Sequence, residues 1–178
     1  RDITHLITIS CTGMYAPGLD IDLIRLLGLR TEIQRTCINF MGCYAAFNGL
    51  RLADSFCRSN PDARVLIVCT ELCSIHFQNG NTEDNMLANA LFADGSAAII
   101  VEANPQPGIN LNLAKFHSDL AFEGEHDMAW HIGDTGFEMQ LSSYVPRVVN
   151  AGMRQLTDKL LEGSGYSLPD INYFAPHP

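Results

Sequence analysis

Arg64-Val-Leu-Ile-Val-Cys-Thr70 narrows the choice of folds more than any other stretch of this chain. Its middle is an unbroken apolar run rich in β-branched residues, and the turn Asn60-Pro61-Asp62 precedes it. A strand that is apolar on both sides has to be covered on both faces, so it belongs inside a sheet with helices above and below. The neighbouring stretches agree. His5–Ser10 reads as a second buried strand, Arg35–Phe40 as an extended run, and Ala97–Val101 as a strand entered through the Asp94-Gly95 turn. Between them lie helical patterns. Asp20 is placed to cap a short helix over Ile21–Leu27 that Gly28 stops, and Tyr44 to about Arg58 repeats apolar residues at Ala46, Leu50, Ala53 and Cys57. Asn85–Phe92 reads as helical. A long amphipathic helix runs through Val145, Val148, Val149, Gly152, Met153, Leu156 and Leu160. Strands near Ile109–Phe116 and Ile171–Ala175 complete the reading. The alternation is that of an α/β protein with covered sheets.

Asn104-Pro105-Gln106-Pro107-Gly108 is the best internal boundary and divides the chain into 1–104 and 105–178. Arg1 and the almost immediate start of the first strand lead us to expect an internal segment of a longer protein. Apolar residues make up 47% and charged residues 17% of the 178, which is a globular composition. No apolar run reaches the roughly 20 residues of a membrane helix, and no secretory signal opens the chain. A formal charge of -9 argues against a nucleic-acid or anionic-membrane surface. It also sits awkwardly with an anionic substrate, whose basic contacts would have to come from elsewhere.

The six cysteines are Cys11, Cys37, Cys43, Cys57, Cys69 and Cys73. Several fall inside apolar runs, which suits reduced thiols in a cytoplasm better than a disulfide framework. Cys69, Cys73 and His76 lack the spacing of a zinc knuckle, so no metal is expected. The acidic and histidine-bearing stretch Glu123 to His131 reads as a solvated loop, and Gly163-Ser164-Gly165 as a helix stop rather than a nucleophile elbow.

Cys43 follows Gly42 at the end of an extended run and precedes a helix. A thiol there faces unpaired backbone N–H groups and the positive end of the helix dipole, which can bring its pKa from about 8.5 to roughly 3.5–7.5. The same residue also reads as a buried structural cysteine, which on position alone is the commoner case. His177, held between Pro176 and Pro178, could accept the thiol proton or donate to an oxyanion; by itself it is also an ordinary loop histidine.

Several motifs fall in one order along the chain. Ser10-Cys11-Thr12-Gly13 with Pro17-Gly18 comes first, then Phe40-Met41-Gly42-Cys43-Tyr44-Ala45-Ala46, then Arg64 to Glu71. Leu91-Phe92-Ala93-Asp94-Gly95-Ser96-Ala97-Ala98, Tyr144-Val145-Pro146 and Phe174-Ala175-Pro176-His177-Pro178 follow. Together they resemble the type III polyketide synthases, the chalcone and stilbene synthase-like family, over essentially the whole chain. The resemblance implies a thiolase-like layered fold (αβαβα) and a homodimer. Residues 1–104 would hold the later part of the first half and 105–178 the start of the second. It implies that Cys43 takes an acyl group from an acyl-CoA and that His177 supports thiolate formation and malonyl-CoA decarboxylation, with an Asn beyond His177 as their third partner. Coenzyme A thioesters are then substrates, and no cofactor is required.

Pocket positions carry over one at a time. Chalcone synthases place small hydroxylated residues where this chain has Cys11, Cys73 and His76, and bulky phenylalanines where Leu111 and Met139 align. Smaller or more flexible side chains open such a channel to a long thin chain. Trp130 stands where the family has a Gly; it reads equally as a pocket-filling residue that favours aldol ring closure or as a core tryptophan. The pattern is most similar to bacterial alkylresorcinol and alkylpyrone synthases, which extend fatty acyl starters. A carrier-protein-dependent β-ketoacyl synthase III of fatty acid initiation shares this chemistry and is the nearest alternative. A catalytically inactive thiolase-like assembly subunit is the other.

Overall fold

The computed structural model describes residues 2–134 and 136–176. Its main sheet has four strands in the order β2-β1-β3-β4. These are β1 (His5–Ser10), β2 (Gln34–Asn39), β3 (Arg64–Glu71) and β4 (Gly95–Glu102). β1 lies between β2 and β3 and runs parallel to both, while β4 is antiparallel to β3. β1 is buried along its whole length, as expected for a strand covered on both faces.

The alternation of side chains sorts two helices onto opposite faces. Ile7, Ile9, Val65 and Ile67 point to one face and pack against α2 (Ala45–Ser59). Leu6, Leu66 and Val68 point to the other and meet Leu23 and Ile24 of α1 (Leu19–Leu27). On α2 the buried residues are Ala45, Gly49 and Ala53, of which Ala53 belongs to the expected line while Ala45 and Gly49 stand one position before Ala46 and Leu50. Small residues allow the helix close to the sheet: a Cβ on Gly49 would stand 2.6 Å from Ile9 Cδ1. Leu50, Phe56 and Cys57 flank this line and fill the space at its sides.

Two local expectations are corrected. Asp20 does not cap α1, whose N-cap is Gly18; it is a buried first-turn residue paired with Arg35 of β2. The expected strands near 109–116 and 171–175 are not strands here. Leu111 is 95% exposed, and a strand forms only where a neighbour can take its N–H and C=O groups.

The acidic stretch expected to be a loop instead contains a hairpin. β5 (Met128–Ile132) pairs antiparallel with β6 (Phe137–Leu141), and α3 (Glu83–Leu91) packs against β6. Thr82 caps α3 by accepting the Asn85 amide at 3.2 Å. α4 (Val145–Leu161) starts with Pro146 in its first turn and carries no buried residue. None of the described helices is long and apolar enough to cross a membrane.

Candidate active site

The loops after β1, β2 and β3 meet at one end of the sheet, where the β5–β6 hairpin closes over them. After β2 the chain turns sharply. Phe40 adopts a left-handed conformation (φ 59°) and Gly42 another (φ 81°). The first is uncommon for a bulky residue and stores roughly 1–3 kcal/mol; the second is where glycine is at ease. The Phe40 amide donates to the Ser10 carbonyl at 3.2 Å, and the Gly42 amide points at the Cys11 sulfur, also at 3.2 Å. Cys43 follows, and the helix begins beyond its N-cap, Tyr44.

A cavity of about 700 Å³ opens at this turn. Cys11, Cys43, Cys73, His76, Trp130 and Met139 all line it, so six residues expected from sequence to share a site are brought together. Leu111 is not among the lining residues. It is 95% exposed on the unpaired segment after β4. His177 lies outside the described residues.

Phe40, Phe77, Phe92 and Phe137 also line the cavity and were not assigned to it from sequence. Phe92 had a signal, since it belongs to the Leu91-Phe92-Ala93-Asp94 motif. Phe137 had none, because the hairpin itself was not foreseen.

Glu71, at the end of β3, is the other functional residue the sequence reading passed over. Its carboxylate accepts the Cys11 amide on both oxygens, at 2.9 and 3.0 Å, and the Thr12 hydroxyl at 2.7 Å. Thr12 Oγ1 in turn accepts the Leu72 amide at 2.8 Å. The end of β3 is thereby sewn to the loop after β1, and a carboxylate is held at the cavity wall.

The expected lowering of the Cys43 pKa is also corrected. Cys43 keeps open surface, but burial of the thiol is the leading influence and pushes its pKa up. Cys11 and then Glu71 push in the same direction, and only a backbone hydrogen bond pulls it down. A thiolate here would lose water contact and sit among groups that are themselves negative when ionised, and both disfavour its charge. Cys73, on the same cavity, is raised by burial first, then by Glu71, Asp94 and Cys43.

The aromatic wall is tightly ordered. His76 stacks on Phe137 with ring centres 4.4 Å apart, Trp130 meets both rings edge-on, and Phe40 meets Phe137 edge-on at 5.2 Å. The Trp130 indole donates to the Cys11 carbonyl at 2.7 Å, so its polar atom is satisfied while its rings face the cavity side.

Comparison with known proteins agrees with this geometry. Residues 1–105 match the family described as chalcone and stilbene synthases, N-terminal domain. "Probable polyketide synthase 1" of Dictyostelium discoideum is 37% identical over 163 residues, covering 90% of this chain and 5% of that protein. "Alpha-pyrone synthesis polyketide synthase-like Pks18" of Mycobacterium tuberculosis is 31% identical over 182 residues, covering 99% of this chain and 46% of the relative. The chain therefore spans less than half the length of these curated relatives. The crystal structure of PKS-I from the brown alga Ectocarpus siliculosus superposes with a TM-score of 0.90 at 31% identity, covering 97% of this chain and 46% of that one. The fold is thiolase-like, as in these synthases. With a family match over more than half its length and that superposition, the chain belongs to the chalcone and stilbene synthase family, the type III polyketide synthases.

Proposed function

We propose that this chain carries the nucleophile of an iterative condensing enzyme, with Cys43 as the acyl-accepting thiol and a long-chain fatty acyl-CoA as the starter. The observation that supports the reading best is the cavity beside Cys43. At about 700 Å³ it has the size of a small-molecule site, and Met128 and Met139, flexible and polarisable, contribute to its wall.

The chemistry runs in two strokes. The Cys43 thiolate attacks the starter thioester and expels coenzyme A. Malonyl-CoA then loses carbon dioxide, and its enolate attacks the Cys43 thioester, forming the carbon–carbon bond and returning the thiolate. Transfer of the extended chain back to Cys43 releases coenzyme A and restarts the cycle. His177 is assigned to proton removal from the thiol and to donation towards the enolate oxygen, where one such donor is worth roughly 2.7–4 kcal/mol. An imidazolium beside the thiolate would also counter the upward push on the Cys43 pKa.

We assign Cys11, Cys73, His76, Trp130 and Met139 to the wall that shapes the growing chain, and an alkylresorcinol or alkylpyrone as product. Residues 1–104 and 105–178 are taken as parts of two similar halves; the four-stranded sheet ending at Glu102 and the separate β5–β6 sheet support that division. A cytoplasmic homodimer completes the proposal.

The test is to incubate the protein in its full natural length with palmitoyl-CoA and malonyl-CoA and to identify the products by mass spectrometry. Alkylated pyrones or resorcinols, lost in Cys43→Ala, are expected. A strong preference for aromatic starters would reject the fatty acyl reading. A requirement for carrier-bound malonate would replace it with fatty acid initiation.

A further inference from the structure

We infer that His76 is a positioning residue, a clasp that seats the β5–β6 hairpin against the loop after β1 and so fixes one wall of the cavity. Both ring nitrogens are committed. The Phe137 amide donates to Nδ1 at 3.1 Å, which makes Nδ1 the bare nitrogen; Nε2 then carries the proton and donates to the Thr12 carbonyl at 2.5 Å. One neutral imidazole, on the short turn Cys73–His76, therefore bridges the two backbones.

The neighbouring contacts act together with it. Gln78 donates to the Phe137 carbonyl at 3.4 Å, so the same residue of β6 is gripped at its N–H and its C=O. Phe137 stacks flat on the imidazole, 11° from parallel. Gly136 has φ 145°, and a Cβ there would stand 3.3 Å from His76 Nδ1, so the chain entering β6 comes close to the ring at a backbone angle that favours glycine. The indole of Trp130 makes a second tie from the hairpin to the same loop, through the Cys11 carbonyl.

His76 is thus a wall fixture with no nitrogen left over for a substrate proton. Its effect reaches the cavity through Trp130 and Met139, which the hairpin carries. The consequence for starter choice rests on the proposed function; the clasp itself does not, and the two are tested apart.

Trp130 is the only tryptophan of these 178 residues, so within them its emission reports on this hairpin. His76→Phe keeps the stack and removes both hydrogen bonds, whereas His76→Gln offers one donor and one acceptor again. Amide hydrogen exchange and Trp130 emission would be measured in the parent and both variants. In His76→Phe we expect exchange over residues 128–141 to rise roughly tenfold or more, with Val65–Cys69 unchanged, and Trp130 emission to shift to the red. His76→Gln should recover part of both effects. Unchanged hairpin exchange, or an equal rise over Val65–Cys69, would overturn the clasp. If the clasp holds and the protein condenses malonyl units, His76→Phe should shift the ratio of kcat/KM for bulky over slim acyl-CoA starters by roughly tenfold. An enzyme with no condensing activity would sink the proposed function and leave the hairpin result standing.

Discussion

The Gly42 amide aims at the sulfur of Cys11, 3.2 Å away, and this contact joins the turn that presents Cys43 to the loop that follows β1. It places a second sulfur beside the first, and after burial Cys11 is the next largest influence raising the Cys43 pKa. Cys11→Ala should therefore move the pH profile of Cys43 alkylation by iodoacetamide towards lower pH. The lost N–H···S contact is exposed and should cost no more than about 0.5–1 kcal/mol of stability. Peptide mapping across a pH series checks the shift; a profile displaced upward would contradict it.

Glu71→Gln should shift the same profile in the same direction, but by less, because the Glu71 charge ranks behind Cys11 in its push on Cys43. The variant loses charge-assisted bonds to the Cys11 amide and the Thr12 hydroxyl, for which we expect about 1–2 kcal/mol of destabilisation. A denaturant series measures the cost, and the alkylation profiles of the two variants give the order.

Acidification should weaken the fold through His5. Its ring is buried at the start of β1 and stacks on Phe56 with centres 4.4 Å apart. Burial holds its pKa below the ordinary 6.5, against a smaller opposing hydrogen bond with Gln34. The unfolded chain then binds the proton that the folded one refuses. The contribution of His5 is fully present above pH 6.5 and falls away as the pH drops from there towards the folded-state value. Unfolding midpoints measured from pH 7.5 down to 5 should decline, and His5→Phe should flatten that slope; an unchanged slope would remove His5 from the account.

Gly49→Val should be among the most damaging changes outside the cavity. A Cβ alone would stand 2.6 Å from Ile9 Cδ1 and 3.5 Å from Ile67 Cγ2, and two further methyl groups have no room between α2 and the sheet. Overpacking of this kind costs about 1–3 kcal/mol, and we expect the upper end because the helix backbone itself would have to lift. Thermal unfolding of the variant beside the parent measures it.

The main sheet was legible because its information is local. β3 is apolar on both sides through its middle and β1 carries Leu6, Ile7 and Ile9 on alternating sides, a pattern that suits covered strands. The turn at Cys43 was legible from Gly42 and Cys43 between an extended run and a helix, and the family motifs placed Cys11, Cys73, His76, Trp130 and Met139 beside it. The hairpin was not legible. Glu123, Glu125, His126 and Asp127 just before β5 give that stretch the composition of a solvated loop, and its pairing is visible only once Phe137 and Trp130 are seen packing on His76. The strand expected near 109–116 did not form for a related reason, since an apolar segment does not by itself supply a pairing partner. The Cys43 pKa was misjudged because a helix end can be read from neighbouring residues, while burial, the leading influence, and then Cys11 and Glu71 from two other strand ends come from the fold.

α4 has a consequence of a different kind. Val149 and Met153 lie on its apolar stripe yet remain 52% and 44% exposed, and Ile99 and Ile100 of β4 are similarly bare. Adjacent copies at high concentration would shield these oily strips from water by sticking to one another. For anyone preparing this polypeptide on its own, these bare strips make self-association the property to watch in the tube.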